Sequence, residues 1–361
     1  MRLTSTHKAI FMLRQTEGMG CVRTAKVLQA VEDLSLIYDN PSKVKDALTA
    51  AVGHKLYENI IQTKYQIDFD AHEQKINAHG VKLITFYDKE YPFLLKQFDD
   101  KPLMLYCKGN IDLLKSQCFA VVGTRLPTRY GVRVTEEFVS LLCRRFTIVS
   151  GMASGVDTIA HRTTLYNKGN TIAVLGNGIE RVYPPENLQL YNQIAEKGLI
   201  ISEYDIGSQL SQYNFPQRNR IISGLSRGVL VTEAGKKSGT MTTINHALAQ
   251  GREVFCVPGS IYNKASAGCN NSIKECQTIC VTDVNDIFEN LGQNPIETQL
   301  SLMKLDFMEE RIVDYLTKNG ERHFEEILME VDLSVSELNS LLIKLSARGI
   351  INKCSNNYWS V

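Results

Sequence analysis

The sequence predicts an α/β fold, with a doubly wound, mostly parallel sheet at its centre, a small N-terminal helical domain and a C-terminal winged helix. Three observations carry this. Seven short apolar bursts, at residues 119–122, 147–150, 171–175, 199–202, 228–232, 253–257 and 278–281, are separated for the most part by helical stretches. Alternation of that kind builds a parallel sheet with helices on both faces. Five of these bursts run into small or glycine-bearing turns. Helical periodicity without such bursts fills residues 7–65 and returns, with acidic character, after residue 305.

The composition leaves room for this. The chain has 361 residues, 43% of them hydrophobic and 22% charged, which suits two or three globular domains. No run approaches the ~18 apolar residues of a membrane span, and the N-terminus has no signal-peptide pattern, so a cytoplasmic protein is expected. Nine cysteines are scattered without a CxxC pair. Cys269, Cys276 and Cys280 come nearest to a cluster, but no histidine stands near them. Buried thiols are the better reading than zinc ligands, and no metal is expected. Net charge is +1, but residues 108–230 carry +5 and residues 305–361 carry −4. A polyanion therefore belongs to the middle of the chain.

Taken in order, residues 1–78 form the helical domain, of helix-hairpin-helix or SAM-like type. Glu17-Gly18-Met19-Gly20 joins two short helices there. Such a hairpin can offer backbone N–H groups to a phosphate, but it holds no basic residue and reads as a plain turn. Residues 79–292 form a Rossmann-like core, entered by two connector strands at 81–86 and 103–107. Residues 293–304 form a linker. Residues 305–361 form the winged helix, with helices at 309–316, 324–331 and 336–347 and strands at 349–352 and 357–361. Ser334-Val335-Ser336-Glu337 has the cap and acidic first turn of a helix start. A winged helix usually suggests DNA, but the charge of −4 favours a protein contact or a structural role.

The turns after the strands point to a site. They read Gly123-Thr124-Arg125, Gly151-Met152-Ala153-Ser154-Gly155, Gly176-Asn177-Gly178, Gly235 to Gly239, and Pro258-Gly259-Ser260. In an open parallel sheet they gather at the carboxyl edge, where ligands bind. Each brings backbone N–H groups and the positive end of a helix dipole toward one crevice. The stretch FPQRNRIISGLS adds Phe215, Arg218, Asn219 and Arg220 at another helix start. Arg125, Arg218 and Arg220 are all expected to face the crevice, as a phosphate pocket requires. For Arg220 a salt bridge inside the fold, to Glu233, is the alternative. The turn 235–240 supplies Ser238, Gly239 and Thr240.

Enzyme readings fit less well. GTRLPT is not GxGxxG, no Walker A motif occurs, and 147–150 does not end in an acidic residue. Asp157 and His161 lie four apart on one helix, which equally permits a hydrogen bond that fixes the imidazole. No nucleophile or metal set accompanies them, so no catalytic residue and no cofactor are expected.

The chain resembles the DNA-processing DprA (Smf) family of natural transformation. The stretches that carry the resemblance include YPFLLKQFDDKPLMLYCKGN, VVGTRLPTRYG, IVSGMASGVDTIAH, TIAVLGNGIERVYPPEN, FPQRNRIISGLS and VTEAGKKSGT, within residues 81–286. It implies a protein that binds single-stranded DNA, protects incoming DNA, forms a homodimer and loads the RecA recombinase in recombination. It also implies that Arg125 lines the DNA pocket and that Phe215 stacks on a base. The candidate contact set is then Gly123, Thr124, Arg125, Ser150, Gly151, Ser154, Gly155, Phe215, Arg218, Asn219, Arg220, Ser238, Gly239 and Thr240. Two departures stand out. Gln212 occupies a position that is commonly basic in the family, with Tyr213 beside it as a stand-in for stacking. The stretch after Gly268-Cys269-Asn270 lacks a small Gly-Ala pair. The rival is a phosphoribohydrolase acting on nucleoside monophosphates, whose PGGxGTxxE motif aligns with residues 235–243. Thr243 stands there in place of the carboxylate that glycosidic cleavage needs.

Overall fold

A computed structural model describes residues 1–295, 306–331, 333–347 and 349–361. The chain forms two compact units, Met1–Leu291 and Gly292–Val361. The linker expected at 293–304 lies mostly outside the described residues.

The first unit is built on a nine-stranded sheet. Its strands are β1 (Lys82–Thr85), β2 (Met104–Gly109), β3 (Cys118–Val122), β4 (Thr147–Ser150), β5 (Thr171–Leu175), β6 (Leu199–Ser202), β7 (Gly228–Val231), β8 (Glu253–Cys256) and β9 (Ile279–Cys280). The order across the sheet is β1-β2-β6-β5-β4-β3-β7-β8-β9. From β6 to β9 all pairs are parallel, and β2 pairs antiparallel with both β1 and β6. The expected doubly wound sheet is therefore present. Strands β3 to β7 are buried along their whole length, as continuous apolar runs such as Cys118–Val122 require when both faces are covered.

The chain moves outward from β3 through β4 and β5 to β6, then returns to β7 on the other side of β3. Right-handed crossovers in opposite directions place their helices on opposite faces. Helices Arg129–Leu142, Val156–Tyr166 and Leu188–Lys197 pack in a row, and Asn214–Leu225 packs against Thr240–Ala249. The reversal leaves a crevice above the carboxyl ends of β3 and β7.

Six helices precede the sheet: Ser5–Gln15, Cys21–Ala30, Ser35–Asp39, Lys45–Val52, His54–Gln66 and Phe69–Ala78. They belong to the same compact unit as the sheet. Arg14 ties them to it, donating to the Glu203 carbonyl oxygen (2.6 Å) and pairing with Asp205 (3.1 Å). Asp205 also accepts from the Tyr106 hydroxyl (2.7 Å) on β2.

The second unit has helices Phe307–Asn319, Phe324–Val331 and Val335–Ala347 around Ile312, Leu316, Ile327, Leu338, Leu342 and Trp359. A small antiparallel sheet runs in the order β10 (Arg322–His323), β12 (Tyr358–Ser360), β11 (Asn352–Lys353). Strand β10 was not legible as a strand, being two residues long. Glu309 is buried and held by Lys344 at 2.7 Å. That ion pair occupies the lysine of helix Val335–Ala347.

Candidate nucleic-acid interface

A cleft of about 850 Å³ opens above the ends of β3 and β7. Five loops that follow strands contribute to it: Gly123, Thr124 and Arg125 after β3, Ala153 after β4, Tyr183 after β5, Gly235 and Lys237 to Thr240 after β7, and Lys264 and Ala265 after β8. Gln212, Phe215, Arg218 and Asn219 enter from the chain after β6.

The loops are stitched by backbone bonds. The Thr124 N–H donates to the Glu233 carbonyl oxygen (2.7 Å), and the Val156 N–H donates to the Thr124 carbonyl oxygen (3.1 Å). Gly155 sits at φ +79°, and a Cβ there would lie 2.4 Å from the Thr124 carbonyl oxygen. Only glycine meets both demands, so Gly155 shapes the loop rather than facing a ligand. Thr240 Oγ1 donates to the Gly123 carbonyl oxygen (2.9 Å), Ser238 Oγ donates to Thr240 Oγ1 (2.9 Å), and Asn219 Nδ2 donates to Thr242 Oγ1 (2.9 Å). These side chains line the cleft while closing its wall.

Phe215 is half-buried and lies across the end of β5. A Cβ on Gly176 would be 2.8 Å from Phe215 Cδ1, so the glycine makes room for the ring. The Tyr183 ring lies 5.5 Å from it, tilted by 36°, and the Arg125 guanidinium carbon lies 5.8 Å from its centroid. An aromatic face thus stands beside an exposed cation.

The three arginines do not share one role, and two expectations are corrected. Arg218 is only 4% exposed. Its Nη1 donates to the carbonyl oxygens of Gly151 (2.5 Å) and Val174, at the ends of β4 and β5. It therefore forms part of the cleft floor instead of projecting into the cleft. Burial lowers its pKa to about 10, against the opposing pull of Asp157. Arg220 does not line the cleft. Its Nη2 donates to both carboxylate oxygens of Glu203 (2.9 and 2.8 Å), and Asp100 lies 3.7 Å from its Nε. The internal salt bridge is thus the outcome, with Glu203 as partner in place of Glu233. Glu233 is itself buried and accepts from the Thr128 N–H and hydroxyl, both at 2.8 Å, at the start of helix Arg129–Leu142. There its charge complements the helix dipole.

Ser150 is also placed elsewhere: it is fully buried and donates to the Val121 carbonyl oxygen (2.7 Å). Gly151 and Ser154 line a small recess beside Tyr183 and Phe215. Tyr213 is 85% exposed and outside the cleft lining, whereas Gln212 is in it. Among the described residues, the exposed cations that line the cleft are Arg125, Lys237 and Lys264. The two lysines were not singled out from sequence, because nothing in a run of exposed residues marks which one faces inward.

Asp157 accepts from the N–H groups of Gly151 (3.2 Å) and Ala153 (3.3 Å). Burial pushes its carboxyl up, while Arg218 and those N–H groups pull it back. It does not bond His161. The Thr171 hydroxyl donates to the Ile148 carbonyl oxygen (2.8 Å) and so accepts from His161 Nδ1 (2.7 Å). The fully buried imidazole has no partner for Nε2 among the described residues, and burial lowers its pKa to about 3. It is a neutral core histidine. Thr243, at the rival motif's carboxylate position, is buried in helix Thr240–Ala249.

No group of three or more His, Cys, Asp or Glu that could hold a metal occurs among the described residues. No helix among them is long and apolar enough to cross a membrane. Eight of the nine cysteines, from Cys107 to Cys354, are free thiols.

The family described as DNA recombination-mediator protein A matches residues 82–292. The chain belongs to this family. DNA processing protein DprA of Streptococcus pneumoniae is 38% identical over 272 residues, covering 75% of this chain and 93% of that one. The crystal structure of DprA from that species matches with a TM-score of 0.70 at 35% identity, covering 82% of this chain and all of the other. DNA processing protein A of Helicobacter pylori, a protein with a unique single-stranded DNA binding mode, matches with a TM-score of 0.54 at 29% identity, covering 59% of this chain and 97% of that one. Membership of this family sets the chain among DNA recombination-mediator proteins.

Proposed function

We propose that the cleft binds single-stranded DNA, and that the chain acts as a homodimer that protects incoming strands in transformation and loads RecA onto them. The observation that carries the reading is the Phe215 ring beside Arg125 and Tyr183. Aromatic faces beside cations hold unpaired bases and their phosphates together. Gly123, Thr124, Ser154, Ser238, Gly239 and Thr240 supply the polar wall in this reading. Gly151, Gly155, Arg218 and Asn219 hold the wall in place.

Arg125 and Phe215 separate the two contributions. Arg125→Ala should weaken binding of every sequence and flatten the salt dependence by about 0.7 in slope, the value for one phosphate on a single strand. Phe215→Ala should lose about 1–3 kcal/mol with the slope unchanged, since stacking releases no ions. Titrations of both variants across a salt series, with single strand and duplex, measure this. Wild-type affinity and slope for Arg125→Ala, or equal affinity for single strand and duplex, would remove the cleft from the reading.

The acidic second unit is the candidate protein-contact module. Removing residues 305–361 is expected to leave most single-strand binding intact, because their charge of −4 opposes phosphate. RecA filament assembly on a coated strand, compared between the full and shortened chains, then shows whether the unit serves loading. Loss of strand binding by a shortened chain with native circular dichroism would contradict the charge argument.

A further inference from the structure

We propose that a single strand longer than the cleft also occupies a second pocket on the first unit, at the amino ends of β3 and β7. This rests on the reading of the cleft given above. The second pocket measures about 400 Å³ and is lined by Lys89, Phe93, Leu94, Lys115, Leu225 and Arg227, among others.

Phe93 is the feature to explain. Its neighbours are committed to packing: Tyr91 is buried with its hydroxyl donating to the Pro102 carbonyl oxygen (2.6 Å), and Leu95 is 1% exposed. Phe93 itself is 74% exposed. A lone exposed apolar residue means little. Here the ring stands at a concavity with three cations around it. Lys89 and Lys115 share one carboxylate, Glu90, at 3.9 and 3.4 Å. Arg227 donates to the neutral amide of Gln117 (3.1 Å). Positive charge is therefore in excess. Arg252 adds to it from behind, donating to the Leu94 carbonyl oxygen (3.2 Å) with its guanidinium over the Phe98 ring.

The two pockets are joined by one helix. Asn214–Leu225 begins in the cleft, with Phe215, and ends in the second pocket, with Leu225. The ten residue steps from Phe215 to Leu225 set the two about 15 Å apart, at about 1.5 Å per residue. A strand anchored on Phe215 has that distance to cover before a second base reaches Phe93. An exposed aromatic face selects an unpaired base over a duplex, whose bases are already stacked.

The test compares the full chain with Phe93→Ala and with the double variant Lys115→Glu, Arg227→Glu, all surface changes, on oligothymidines of about three and about thirty nucleotides, the first too short to span the two pockets and the second long enough for both. On the short strand both variants should match the unchanged protein. On the long strand Phe93→Ala should weaken binding roughly tenfold with the salt slope kept. The double variant should weaken it with the slope flattened by about 0.7 for each phosphate lost. Phe215→Ala, measured alongside, should lose affinity at both lengths. If Phe215→Ala does so while Phe93→Ala and the double variant change neither length, the second pocket falls and the cleft stands. Equal losses at both lengths for Phe93→Ala would also overturn it. An unchanged protein that binds neither strand sinks the cleft reading first.

Discussion

Replacing Arg218 with methionine is expected to destabilise the first unit by about 3–5 kcal/mol, the cost of leaving a buried charge without its partner. The guanidinium is buried with its Nη1 on two strand-end carbonyl oxygens. Burial raises the carboxyl pKa of Asp157, and the Arg218 charge is among the groups that pull it back. Methionine fills much of the volume but donates nothing, so two carbonyls and one carboxylate lose their compensation together. The midpoint of thermal unfolding should drop by roughly 10 °C for a chain of this size. Arg218→Lys should restore only part of it, because one ammonium cannot reproduce the planar fork. Thermal melts of the three proteins decide the matter. A methionine variant within about 0.5 kcal/mol of the original would mean that Arg218 behaves as a surface cation after all.

The second large effect is acid sensitivity. His161 has a folded pKa of about 3 against 6.5 for an ordinary imidazole. Its folded value lies below its unfolded value, so the unfolded chain binds the extra proton between those limits. Stability from this group is fully present above pH 6.5 and falls as the pH drops, by about 1.4 kcal/mol per unit. Over the whole window the loss approaches about 4–5 kcal/mol. Asp157 acts in the opposite sense, since its carboxyl is raised and takes up a proton more readily when folded. It offsets part of the loss at the acid end. Urea unfolding followed by circular dichroism between pH 7 and 5 measures the slope. The single tryptophan, Trp359, belongs to the other unit and would not report it. His161→Gln should flatten the profile while keeping a donor for Thr171. A midpoint that is level below pH 6.5 in the unchanged protein would contradict the buried neutral imidazole.

The sheet was legible because its strands are short apolar runs bounded by helix starts. Strands β4, β5 and β6 fall where the pattern places them, at Thr147–Ser150, Thr171–Leu175 and Leu199–Ser202. The connector strands were also visible. Their partner was not, because the β2–β6 pairing joins residues such as Tyr106 and Ser202, far apart in the chain. The cleft was legible as a set of loops, since glycine turns that open helices share the carboxyl edge of any parallel sheet.

Side-chain direction was harder, and Arg218 shows why. It was grouped with Arg220 by composition. Its own spacing to Ile221, Ile222 and Leu225 is three, four and seven residues, the stripe of a buried helix face. The periodicity that identified the helix already turned Arg218 inward. Arg220 lies off that stripe, and its partner Glu203 follows a strand seventeen residues earlier. No local pattern links two such positions. Tyr183 was missed for the same reason: it reaches Phe215 only because the loops after β5 and β6 converge.

Glu203 sits at a junction. Its backbone oxygen receives Arg14 from the N-terminal helices, and its carboxylate receives Arg220 from the helix that carries Phe215. The N-terminal helices are consequently not an interchangeable cassette. A chimera that borrowed them from another protein would have to bring its own counterpart of Arg14, or leave this corner of the sheet with one fewer brace on the helix that holds the aromatic ring.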